Sequence, residues 1–252
     1  MPIRAVLLDI DDTLLDTTTA MVEAGAIAMA AVWPDEDPAW RLTASRRFRS
    51  DPGRFFARFT RGELDFERMR RLRLEEVALA TGRVLPADGH ASYERAYGPA
   101  FAASQRLYDD VLPFLARCSA EGIAVAALTN SSQSATDPKL QATGLVGRLG
   151  PVVTRDTLGF GKPDPRVFAR ACDLVEVAPG ETAYVGDEFE ADVLGSMAAG
   201  LAPVWLRRPR SGENAHVPDG GVPDLAAPAG VPVIASLTEL ELERIPSRED
   251  DA

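Results

Sequence analysis

The stretch from Ala5 to Leu15, AVLLDIDDTLL, constrains this chain most, because it sets an apolar run directly against a cluster of carboxylates. Val6, Leu7 and Leu8 read as a short strand buried on both faces, and Asp9 marks where that strand leaves the sheet. In an open parallel sheet the carboxyl ends of the strands form the ligand-binding edge, so Asp9 and Asp11 are expected to project into a cleft, close enough to compete for protons. Carboxylates so placed serve a cation. If Asp9 also attacks phosphorus and Asp11 handles the proton, these few residues supply nucleophile, metal ligand and general acid/base. The plainer reading of the same residues is that Asp and Thr after a strand cap the next helix.

A chain of 252 residues with 46% hydrophobic content can bury one large core, or a core and a small second domain. No apolar run approaches the roughly 18 residues of a membrane span, and MPIRAVLL enters a charged strand end without a cleavage-site pattern. A soluble, cytoplasmic protein with no membrane partner is therefore expected. Cys118 and Cys172 each fall inside an apparent helix and read as buried bystander thiols; His90 and His216 lack metal-ligand spacing and read as surface or loop residues. The formal charge of −11 argues against nucleic acid as a partner, since binding it needs a basic footprint.

That charge is unevenly spread. Between Arg41 and Arg73 stand eleven arginines against four acids, interleaved with Phe48, Phe55, Phe56, Phe59 and Phe66 as in amphipathic helices. Any one of these arginines reads as part of a solvated face; together they favour an anionic ligand, with Arg54 and Arg58 as candidate contacts. Residues 17–104 carry helix patterns alone, punctuated by Pro34, Pro38, Pro52-Gly53, Gly62, Gly82 and Pro86. Such a block, inserted after the first strand of a sheet, reads as a separate lobe that could act as a lid. The sheet core is then residues 1–16 and 105–252.

The sheet pattern resumes with a helix over 109–120, closed by Gly122, and apolar strands over 123–129, 151–154, 182–187 and 201–206; a sixth is possible over 231–237, leading to a short helix at 237–244. The second strand ends in Thr129-Asn130-Ser131, which can hold a phosphate oxygen or merely make a turn. Lys162 stands on a Gly-containing loop just before a helix that begins near Asp164, where it can reach across a cleft. A second strand tipped with an acid, TAYVGD, ends at Asp187, and Asp192 falls in the first turn of the helix after it. The stretch 207–230 reads as a long Pro/Gly loop, and the tail from Pro246 as frayed.

DIDDTL at Asp9–Leu14, TN at Thr129-Asn130, GKPDPRVF from Gly161 and GDEFEAD at Gly186–Asp192 resemble, in order, the four signature motifs of the haloacid dehalogenase-like hydrolases. The resemblance covers about Ile3 to Leu206. It implies an α/β fold, a doubly wound parallel Rossmann-like sheet with an inserted all-helical cap domain. It also implies roles: Asp9 as nucleophile and metal ligand, Asp11 as general acid/base and metal ligand, and Thr129 and Asn130 on the transferred phosphoryl oxygens. Lys162 would neutralise charge on nucleophile and phosphoryl group, Asp187 would bind Mg²⁺ and Asp192 would support the metal through water. Glu188, where many relatives have Ser or Asn, is a further candidate at the cation site. Relatives that act as dehalogenases lack a carboxylate two residues after the nucleophile, so Asp11 favours phosphate chemistry. A phosphonate-cleaving relative would use a cap lysine, and the two lysines, Lys139 and Lys162, lie outside that block. The reading is a Mg²⁺-dependent phosphatase of a small phosphorylated metabolite. A phosphosugar mutase is the alternative, and a non-catalytic binding protein stands behind both.

Overall fold

A computed structural model describes residues 2–209 and 226–245, and in it β1 (Ala5–Leu8) occupies an interior position of a six-stranded sheet. The other strands are β2 (Ala124–Leu128), β3 (Val152–Val153), β4 (Thr182–Gly186), β5 (Ala202–Leu206) and β6 (Val233–Ile234), in the order β3-β2-β1-β4-β5-β6, every pair parallel. This order reverses direction between β1 and β4, and ligands in such sheets bind outside the carboxyl ends of the strands at that reversal. The doubly wound α/β class expected from the sequence is the fold observed.

β1 is buried at every position because each face is covered by a different apolar layer. Val6 and Leu8 join Val111, Phe114, Leu115 and Cys118 of one flanking helix; Leu7 points the other way, with Val167, Phe168, Ala171 and Cys172 of another. Both cysteines are free and buried, as expected. The terminal strands are shorter than expected, β3 and β6 being two residues each. The helix expected at 237–244 is instead two 3₁₀ turns, Leu237–Glu239 and Leu242–Arg244. Leu240 and Glu241 between them are extended, which lets Leu237, Leu240, Leu242 and Ile245 all reach the core.

The chain divides into two compact units. One holds the sheet, comprising the described residues of Met1–Thr17, Arg106–Arg210 and Ala226–Ala252. The other, whose described part is Thr18–Gln105, is helical. It contains most of α1 (Thr17–Val32), then α2 (Pro38–Ser50), α3 (Phe55–Thr60), α4 (Phe66–Ala80) and α5 (Gly89–Ala103). Asp37 and Asp65 cap α2 and α4 by accepting from Trp40 N and Arg68 N. Its core centres on Met29, Phe48, Leu74, Val77 and Tyr93. Arg70 is buried there against the rings of Phe48, Phe66, Tyr93 and Tyr97, with Nε 2.7 Å from Glu94 Oε1.

His90 departs from its surface reading: it lies buried in α5, Nε2 3.7 Å from Glu94 Oε1. His216, most of the 207–230 stretch and the tail from Pro246 lie outside the described residues. Among the described residues no helix is long and apolar enough to cross a membrane.

Candidate active site

Asp9 follows directly on β1 and is fixed to the neighbouring strand by its own backbone, its N–H donating to Val185 O at 2.9 Å. β2 ends at Leu128 and β4 at Gly186, so Thr129 and Asp187 leave the sheet on the same edge. Parallel pairing thus assembles the site from segments more than 100 residues apart in sequence.

Lys162 reaches into this edge from the loop before the helix Pro165–Val175. Its Nζ donates to Asp9 Oδ1 at 2.6 Å, Asp192 Oδ1 at 2.6 Å and Tyr184 Oη at 2.9 Å. The side chain is 3% exposed, against 8% for Asp9 and 0% for Asp192, so these contacts lie in a desolvated setting. Asn130 holds the lysine's loop. Its Oδ1 accepts from Lys162 N at 2.6 Å and its Nδ2 donates to Lys162 O at 3.1 Å. Gly161 permits this clamp, since a Cβ there would fall 2.2 Å from Asn130 Oδ1. The side chain expected on a phosphoryl oxygen is therefore engaged in placing Lys162. Thr129 is buried beside it, its Oγ1 accepting from Ser131 N at 3.1 Å.

After β4 the helix expected there begins as a π-helical turn, Phe189–Leu194, and continues as a short α-helix, Gly195–Ala198. The turn buries Asp192, whose Oδ2 accepts from Glu188 N at 2.9 Å; a Cβ on Gly186 would meet that oxygen at 2.3 Å. Thr13 Oγ1 donates to Asp187 Oδ1 at 3.3 Å, and Trp205 Nε1 donates to Asp187 O at 2.9 Å. Thr13 is held in turn by Arg208, whose Nε and Nη2 donate to Thr13 O at 3.0 and 2.7 Å while its guanidinium pairs with Asp110.

Carboxylate oxygens of Asp9, Asp187 and Asp192 lie within 4.8 Å of one another. Burial pushes the Asp9 carboxyl up to about 8, with Lys162 opposing and Asp192 and Asp11 adding to the rise. Burial likewise lifts Asp187 well above the carboxylate range, with Asp9, Asp192 and Asp12 adding to it, and it raises Glu188. Three clustered carboxyl groups, two of them buried and that of Asp187 partly buried, offer hard oxygen donors, and such a set suits a hard divalent cation such as Mg²⁺.

Asp11, also expected as a metal ligand, is not part of that group. Its carboxylate is taken by three donors: Lys139 Nζ at 2.5 Å and Thr17 Oγ1 at 2.7 Å on Oδ1, and Ser131 Oγ at 2.9 Å on Oδ2. Burial pushes the Asp11 carboxyl up, but the charge of Lys139 and the hydrogen bonds from Lys139, Thr17 and Ser131 outweigh it and leave the group below its ordinary value. Lys139, Thr17 and Tyr184 are not singled out by the sequence as site residues, and Ser131 only as part of a strand end that can hold a phosphate oxygen or make a turn. In the helical unit, Arg54 precedes α3 and Arg58 pairs with Glu63 at 3.3 Å.

Strand-end acids, a buried lysine and a separate acid two residues beyond the first thus gather at one edge of a doubly wound parallel sheet. Residues 3–200 match the haloacid dehalogenase-like hydrolase model. The chain belongs to that family. It is 32% identical over 206 residues to a phosphoglycolate phosphatase of Thiobacillus denitrificans, covering 81% of this chain and 83% of the relative. It is 37% identical over 143 residues to a phosphoserine phosphatase of Thermus thermophilus, covering 55% and 57%. In fold it resembles the magnesium-bound hydrolase YfnB of Bacillus subtilis, with a TM-score of 0.66 at 19% identity over 95% of this chain and 97% of that one.

Proposed function

We propose that this chain is a Mg²⁺-dependent phosphate monoester hydrolase that acts on a small phosphorylated metabolite through an aspartyl-phosphate on Asp9. The observation that carries the reading is the division of labour among the acids. Asp9, Asp187 and Asp192 form one group, with Lys162 on Asp9 and Asp192, while Asp11, two residues from Asp9, is held apart by its own donors. Asp9 and Asp187 would hold the cation, with Asp192 behind them. When bound, Mg²⁺ would offset the charge of the phosphoryl oxygens against the carboxylates.

In the first half-reaction Asp9 Oδ bonds to phosphorus as the bond to the leaving alcohol breaks, and the alcohol oxygen takes a proton from Asp11. In the second, water attacks the phosphoryl group on Asp9, Asp11 takes the water's proton, and Asp9 departs as a carboxylate. Lys139 keeps Asp11 ionised in the substrate-free site, the form that the second step uses; the proton for the first step must be acquired before the alcohol leaves. Lys162 sits where charge gathers on Asp9 and the transferred group. A halide leaves without a proton, so an acid at position 11 has a use in phosphate chemistry that it lacks in dehalogenation. The phosphatase names of the two curated relatives support the same reading.

The test is phosphate release from a panel that includes 2-phosphoglycolate, O-phosphoserine, hexose 1-phosphates and 4-nitrophenyl phosphate, with Mg²⁺ and with EDTA. Mg²⁺-dependent release is expected. Conversion of a hexose 1-phosphate into its isomer without release would make the protein a mutase, and no turnover of any ester would make it a binding protein.

A further inference from the structure

The chain carries 27 basic residues, and only positions 139 and 162 are lysine. Both lysines are buried, with side chains 10% and 3% exposed, and both bond a carboxylate of the DIDD segment. Lysine is a slim point cation on a flexible stem, whereas arginine brings a planar five-donor fork. A chain that otherwise uses arginine throughout thus keeps lysine at two buried positions, each against an aspartate of the site. Lys162 has an evident task at Asp9.

Lys139 stands on the helix Gln133–Ala142, which is capped by Ser132 and anchored through its neighbour Leu140 in the core beneath the sheet. Thr143 Oγ1 donates to Lys139 O at 2.7 Å, so the lysine's backbone is fixed as well. Its ammonium, the Thr17 hydroxyl and the Ser131 hydroxyl converge on Asp11 from three separate segments. Asp11 lies two residues from Asp9 and next to Asp12, whose backbone is left-handed at φ 57°. Without these donors a short flexible carboxylate near a cation would be drawn into its coordination shell.

We propose that Lys139 is a positioning residue for Asp11: it holds that carboxylate outside the cation-binding group, so that Asp11 remains available for proton transfer instead of becoming a metal ligand. This rests on the hydrolase reading given above for Asp11's task, but the placement itself is tested without turnover.

Lys139→Met keeps the unbranched stem to Cε and removes the ammonium; Lys139→Gln is the second variant should the first fail to fold, with folding checked by circular dichroism. Two readouts are required. In the metal arm, Mn²⁺ is titrated into the full-length chain and followed by electron paramagnetic resonance. The variant is expected to bind Mn²⁺ at least as tightly as wild type, because Asp11 is freed to join the ligands; weaker binding would mean that Lys139 merely supports the local fold and would overturn the assignment. In the kinetic arm, with 2-phosphoglycolate or whichever alkyl phosphate the panel shows to be turned over, kcat is expected to fall on the order of 10- to 100-fold, the scale of a misplaced reacting group, with KM moving less than about threefold. Adding Lys139→Met to Asp11→Asn is expected to cost nothing further, since the group it positions is already gone; additive losses would overturn the assignment. A wild-type chain that turned over no phosphate ester would remove the hydrolase reading, and the Mn²⁺ arm would still decide the placement of Asp11.

Discussion

Lys162 Nζ lies 2.6 Å from Asp9 Oδ1 and 2.6 Å from Asp192 Oδ1, so a single ammonium separates two buried carboxylates that would otherwise face each other. Removing it strands both. Lys162→Met is expected to lower the unfolding free energy by about 3–5 kcal/mol at pH 8 in EDTA, and by less at pH 6, where Asp9 can take up a proton instead. Urea denaturation at the two pH values measures this. A loss that is small and equal at both would mean that the pair adds little.

The raised carboxyls set a pH dependence for the metal-free chain. Asp9 holds its proton up to about pH 8 when folded, whereas an aspartate in the unfolded chain releases it near 3.9. Between those values the folded state binds the extra proton, so stability is greatest at the acid end of the window and declines as pH rises through it. Asp11 and Asp110 lie below the ordinary carboxylate value, so what they contribute is complete above about pH 4 and does not vary across the window. The melting temperature in EDTA is expected to fall from pH 5 to pH 8, and Mg²⁺ is expected to raise it most at pH 8, where binding displaces fewer protons. A flat profile that ignores Mg²⁺ would contradict the reading of the acid group.

For Asp187→Asn and Asp9→Asn, turnover should vanish for different reasons. The first weakens the cation site, so excess Mg²⁺ should restore part of the rate. The second removes the nucleophile, and no concentration of Mg²⁺ should help. Rescue of both to the same degree would show that Asp9 acts as a ligand alone.

The sheet was largely legible because its central strands are apolar runs of strand length ending in acids, and a strand buried on both faces has no other plausible use for AVLL or TAYVG. The ends were less so: β3 and β6 pair over two residues, and Leu237 to Ile245 reach the core through extended residues rather than a helical stripe. Asp9, Lys162, Asp187 and Asp192 could be named as site residues since each sits at or just after a strand end or on a loop with a motif. The cradle of Asp11 could not, because Lys139 lies mid-helix, 128 residues away, where a lysine ordinarily points to solvent. Its one trace in the sequence is compositional, the scarcity of lysine itself. Asn130 illustrates the opposite case, a motif residue whose amide turns out to grip the Lys162 backbone.

Asp11→Asn keeps the shape of the side chain but cannot carry a proton, so the rate on an alkyl phosphate should fall on the order of 10² to 10⁴ while Mg²⁺ still binds. With 4-nitrophenyl phosphate, whose leaving group needs little protonation, a rapid burst of nitrophenol followed by a slow phase is expected. Near-wild-type steady rates on both substrates would assign Asp11 to a capping role.

Trapping the phosphorylated residue tests the central claim most directly. The Asp11→Asn chain, mixed with 4-nitrophenyl phosphate and Mg²⁺ and quenched in acid during the slow phase, should yield a peptide containing Asp9 that carries one phosphoryl group removable by hydroxylamine. The same peptide from Asp9→Asn should carry none. A burst of nitrophenol with the phosphoryl group on another residue, or steady turnover of the wild-type chain with no phosphorylated peptide at any quench time, would contradict phosphoryl transfer through Asp9.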